Sequence, residues 1–180
     1  MTLGNLSFLD IEPKVHIKRA WVGSCIGCSP TNPHGLKLEF TAVKNYCYTK
    51  IIVPKDYCGF EGITHGGIVS LLLDETAGWT ITTNLFRFGF TKTANISFLK
   101  PCPTETTLIV VGKIESSTEN QAIVKSSIFL ENGLLVAEMS STWHLPSMEQ
   151  AMKITGRNVD FLRNFNEEVF TELKKVMSNN

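Results

Sequence analysis

FEGITHGGIVSLLLDETAGWTITTN, running from Phe60 to Asn84, is the stretch on which the fold turns. It opens as a turn, with Gly62, Gly66 and Gly67 around His65. It then becomes apolar on nearly every side, because Ile68, Val69, Leu71, Leu72, Leu73, Ala77, Trp79 and Ile81 cannot share one helical stripe. A helix that is apolar all round is a buried helix. Between Glu61 and Arg87 the only carboxylates are Asp74 and Glu75. Two adjacent acids inside a buried helix are costly unless paired or used. They lie about 100° apart round the axis and face different surroundings. At most one is expected to point into a site; taken alone, Asp74 could equally be a structural acid in an ion pair between helices. Glu75 is expected to meet solvent or a salt-bridge partner.

The start of this helix offers unpaired backbone N–H groups and a partial positive charge, which suits a developing oxyanion. Glycines let a ligand come close to that backbone. Asp74 lies seven residues beyond Gly67, roughly 10 Å along the axis. A carboxylate and an oxyanion hole that far apart cannot grip one reacting atom within one chain. A second copy, with its Asp74 facing this chain's Gly66 and Gly67, resolves the mismatch, so a dimer with the site at its interface is expected.

Outward from the helix the pattern is β. Leu36 to Val43 and Tyr46 to Val53 alternate apolar and polar residues about a Lys44-Asn45 turn. Pro54 to Gly62 is a loop that delivers the chain to the helix. After a Phe-rich connector come strands at Thr93 to Leu99, Thr106 to Ile114, Gln121 to Leu130 and Leu134 to His144, the last reached through Asn132-Gly133, a hairpin signal. Two strands, a long helix and four strands read as an α+β arrangement, an antiparallel sheet wrapped around the central helix. Residues 1–24 are set apart as an N-terminal arm, 25–145 as the main domain and 146–180 as a helical extension. Leu162, Phe165, Val169, Leu173 and Val176 recur at three and four, an added C-terminal amphipathic helix expected to cover the outer face of the sheet.

Composition excludes several classes. The chain has 180 residues, enough for one domain with a real core, and its formal net charge is zero, which gives nucleic-acid binding no electrostatic support. No window is apolar enough to span a membrane. Met1 is not followed by a basic region and a long apolar run, so no signal peptide is expected. Five cysteines, an odd number, suggest reduced thiols in the cytoplasm.

Cys25-Ile-Gly-Cys28 leads into Asn32-Pro-His-Gly-Leu36. Cys25, Cys28 and His34, with Cys47 or Cys58 as a fourth, have half the spacing of a zinc motif, and no second pair follows. The plainer reading is small buried side chains holding a loop, with no metal and no cofactor.

His65-Gly66-Gly67 with Asp74 nine residues after the histidine resembles the hotdog-fold acyl-CoA thioesterases of the phenylacetate-pathway and 4-hydroxybenzoyl-CoA type. The segments Cys25 to Leu36 and Thr91 to Pro101 extend the resemblance over about residues 20 to 145. It implies a hotdog fold and hydrolysis of an acyl-CoA thioester to free acid and CoA. It casts Asp74 as general base or nucleophile, the Gly66 and Gly67 amides as oxyanion hole, His65 as a positioning residue and Thr91 as holder of the water, with Thr93 as competitor. The acyl-CoA substrate is the expected partner, in a homodimer or dimer of dimers. Lys92, Lys100 and Arg87 are candidates for the CoA phosphates. Trp79, Phe86, Phe88 and Phe90 are candidates for an acyl pocket or simply core. The alternative is a non-catalytic module of the same fold that binds acyl-CoA or acyl carrier protein, since fold does not fix function.

Overall fold

The computed structural model describes residues 6–17, 23–156, 171 and 173–175. In order along the described residues come β1 (Val15–Ile17), β2 (Phe40–Val43), β3 (Tyr46–Ile52), β4 (Cys58–Phe60), β5 (Ile63–Thr64), α1 (Gly66–Leu85), β6 (Phe90–Phe98), β7 (Thr107–Ser117), β8 (Gln121–Leu130), β9 (Leu135–His144) and α2 (Met148–Thr155), with a further helical turn at 171 and 173–175. Seven strands form one sheet in the order β1-β2-β3-β7-β8-β9-β6. Every pairing in it is antiparallel. The β4–β5 hairpin stands apart and feeds the chain into α1. The expected α+β architecture, a sheet wrapped round one long helix, is the observed one.

α1 lacks a polar face because it is packed on several sides. Val69, Leu72, Leu73, Thr76, Ala77, Trp79 and Ile81 are all buried, and the threonines return their hydroxyls to the helix's own carbonyls. Gly112 on β7 makes the closest approach possible, since a Cβ there would overlap Thr80 Oγ1 and lie 3.2 Å from the Thr76 carbonyl. Alternation along β7 then sorts the core. Leu108 and Val110 join the main cluster with α1, while Ile109 and Val111 face outward with Phe129. Trp79 stacks on Phe40, ring centroids 5.3 Å apart, so it belongs to the core and not to an acyl pocket.

Five short elements went unread in the sequence. Leu6–Asp10 is a short 3-10 turn whose Phe8 packs on the outer face against Tyr46 and Tyr48. β1 extends the main sheet, so part of the expected N-terminal arm is sheet. The segment before α1 holds a 3-10 turn, β4 and β5. At the other end, α2 starts with a Ser147–Gln150 capping box and stops at Gly156 in the left-handed region (φ 64). Of the C-terminal amphipathic series, Leu162, Phe165, Val169 and Val176 lie outside the described residues. Leu173 is fully buried in the main cluster, and Lys174 lies 5.3 Å over the Phe86 ring just past α1. That helical turn therefore packs at the end of α1, while Phe8 covers the outer face.

Candidate active site

His65 caps α1: its backbone is extended (φ −59, ψ 138) and its Nδ1 accepts the Gly67 N–H at 2.9 Å. The cap fixes the turn and occupies the Gly67 amide. The Gly66 N–H, in the first turn, has no acceptor within the helix. Both glycines are exposed. Beside Gly66 opens an apolar groove of about 350 Å³ lined by Ile63, Val69, Phe98, Leu99 and Cys102 among others. Phe98 lies against Gly66, 3.6 Å from where a Cβ would stand.

Asp74 sits roughly 12 Å further along α1. Thr91 on β6 donates its hydroxyl to Asp74 Oδ1 at 2.7 Å. The ladder between β6 and β9 slips by one residue here, Thr91 pairing with Trp143 and Thr93 with Thr142, so that Lys92 is a bulge. Bulges re-aim side chains and occur beside active sites. Burial raises the Asp74 carboxyl above its ordinary range, and the Thr91 hydrogen bond opposes that rise. Asp74 Oδ2 receives no hydrogen bond among the described residues.

Glu75 turns the other way, as adjacent helix positions must. It is half-buried and, among the described residues, meets no cation, in place of the expected salt-bridge or surface role. Its carboxylate lies against the Cys25–Cys28 turn and accepts from Cys25 Sγ at 3.4 and 3.5 Å. Burial pushes it up to about 7, the Cys28 hydrogen bond opposing and Cys25 adding. A hydrogen bond from Cys28 and the backbone N–H groups of Cys28 and Gly27 draw the Cys25 thiol down, while Cys25, burial and Glu75 push Cys28 up. His34 is absent from this cluster; its backbone carbonyl accepts the Tyr57 hydroxyl. Cys47 is buried on β3, with burial raising its thiol, and Cys58 is exposed on β4.

The basic candidates divide. Arg87 donates to the carbonyls of Glu119, Leu145 and Pro146 and staples α1's exit to the end of β9. It is committed to structure. Lys92 and Lys100 are exposed, and Lys100 borders the groove at Gly66. β6, an outer strand of the sheet, is exposed along most of its length, Phe98 by 57%.

Residues 61–137, from the turn before α1 into β9, match the thioesterase superfamily model. Solved structures agree on the fold. A crystal structure of a thioesterase superfamily protein superposes with a TM-score of 0.63 at 19% identity, covering 68% of this chain and 60% of its own. The E. coli PaaI protein of the phenylacetic acid degradation operon gives 0.58 at 15% identity, covering 62% and 81%. A hypothetical thioesterase from Streptococcus pneumoniae TIGR4, solved with coenzyme A, gives 0.57 at 19% identity, covering 61% and 89%. No curated protein matches the sequence. The fold is the hotdog fold, an antiparallel sheet wrapped around one long helix. No helix among the described residues is long and apolar enough to cross a membrane.

Proposed function

We propose that the protein hydrolyses an acyl-CoA thioester to the free acid and CoA, at sites shared between two copies of the chain. The observation that carries this reading is the Thr91–Asp74 hydrogen bond. It occupies one carboxylate oxygen and leaves Oδ2 to take a proton from water. Coenzyme A in the streptococcal neighbour supports the ligand class.

Chemistry then needs two more parts. The thioester carbonyl must lie beside a backbone donor, for which the Gly66 N–H is suited. Asp74 must stand on the other side of that carbonyl. One chain holds the two roughly 12 Å apart along a single helix axis, so Asp74 serves the Gly66 of its twin. The exposed edge of β6 gives the twin a place to dock, because a long unpaired strand edge invites pairing with another chain. In the proposed reaction Asp74 Oδ2 removes a proton from water as oxygen attacks the carbonyl carbon. The oxyanion forms against the Gly66 amide. The tetrahedral intermediate collapses, the C–S bond breaks, and the CoA thiolate takes up a proton on leaving. The groove at Gly66 takes the acyl group, and Lys92 and Lys100 are the exposed cations for the CoA phosphates.

The test is release of free thiol from short, medium and aromatic acyl-CoAs. Turnover of at least one class, abolished in Asp74→Asn, is expected. Tight binding of acyl-CoA with no thiol release across the panel would make the protein a binding module instead.

A further inference from the structure

The Cys25–Cys28 turn and Glu75 take no part in the proposed hydrolysis, yet the fold brings them together from segments about 50 positions apart. One ligand-type atom from each of Cys25, Cys28 and Glu75 lies within 4.8 Å of the others. We propose that these three side chains form a binding site for one thiophilic divalent cation, zinc foremost, with a fourth position open to water or a small ligand.

Four features of the cluster support this. Cys25 Sγ stands 3.4 and 3.5 Å from the two Glu75 oxygens. A zinc ion about 2.3 Å from sulfur and 2.0–2.2 Å from oxygen in tetrahedral geometry holds two such ligand atoms roughly 3.5 Å apart. Second, the backbone N–H groups of Gly27 and Cys28 both point at Cys25 Sγ, at 3.3 and 3.4 Å. Paired amide donors of this kind stabilise a thiolate, the form that binds metal. Third, the Glu75 carboxylate is largely buried, and among the described residues no ion pair reaches it. A buried carboxylate is costly unless paired or bound to metal. Fourth, the space is built for it: a Cβ at Gly27 would lie 2.6 Å from Glu75 Oε2. Two sulfur ligands favour zinc over magnesium or calcium. A bound ion would tie the 25–28 turn to α1 one residue from Asp74.

This inference stands apart from the thioesterase reading, and its test measures metal, not turnover. The full chain, purified under reducing conditions and loaded with zinc, should hold one zinc per chain by elemental analysis. Replacing zinc with cobalt(II) should give thiolate-to-metal charge-transfer bands and the intense visible bands of a tetrahedral ion. Cys25→Ser, Cys28→Ser and Glu75→Gln should each weaken zinc binding by about tenfold or more, since even outer-shell partners cost that much. His34→Ala should leave the spectrum unchanged. Wild-type protein that takes up no zinc and shows no cobalt–thiolate band would overturn the site without recourse to any variant. So would reduced protein that stays metal-free while air oxidation links Cys25 to Cys28, which would make the pair a redox dithiol. Cobalt bands that survive in all three ligand variants would place the metal elsewhere.

Discussion

Asp74 and Thr91 are 17 positions apart in sequence and one hydrogen bond apart in space. If Asp74 is the base, Asp74→Asn should lower kcat by about 10²–10⁴, the usual contribution of a positioned proton acceptor. Thr91→Ala should cost less, about 10–100-fold, the worth of a hydrogen bond to a charged group. Thr91→Ser should recover much of that loss. Steady-state kinetics on the best acyl-CoA of the panel decides this, and a Thr91→Ala variant with wild-type kcat would remove Thr91 from the site. Asp74 was legible because an acid in an otherwise apolar helix needs a reason. Glu75 was not. Its partners lie in a loop far back in the chain, and nothing local to the helix records them. The one hint was Gly27, the small residue between two cysteines that makes room for a carboxylate. Arg87 misled in the opposite sense: a lone cation near a helix end looks available, and only the fold shows three carbonyls already holding it.

At the scale of elements, the union of α1 with the sheet depends on the missing side chain at Gly112. Gly112→Ala would drive a methyl into Thr80 and against the Thr76 carbonyl. It should cost about 1–3 kcal/mol in chemical denaturation, as overpacking does. Thr80→Ala in the same chain should restore part of the loss, because the hydroxyl clash goes while the carbonyl stays. Wild-type stability in Gly112→Ala would mean the sheet and helix are less tightly apposed. The helix could be read from its apolarity on every side, and six of the eight strands after residue 35 from apolar-polar alternation or β-branched runs bounded by turns. β1, β4 and β5 could not, because runs of two or three residues carry too little period. Nor could the bulge at Lys92, which depends on how β6 meets β9 and not on its own residues.

At the scale of the whole molecule, the proposed site requires two copies of the chain. Phe98 is the residue to probe, exposed by 57% on the open edge strand and resting beside Gly66. Phe98→Asp places a charge there without touching the core. Light scattering should then show a monomer with an unchanged far-UV circular dichroism spectrum, and thiol release should fall with it. A wild-type chain that runs as a monomer at working concentration would already contradict the shared site. The most direct measurement combines two silent variants. Gly66→Pro removes the amide hydrogen and adds a ring at ordinary contact distance from Phe98: proline is tolerated in the first turn of a helix, and His65 already has the extended backbone that precedes a proline. Asp74→Asn removes only the base. Each alone should be inactive. Exchanged at equal amounts, they form mixed dimers in which one site joins an intact Asp74 to an intact Gly66, so about a quarter of wild-type thiol release should return. If the mixture stays as inactive as its parts while mixed dimers are shown to form, the acid and the amide do not meet across two chains, and the account fails.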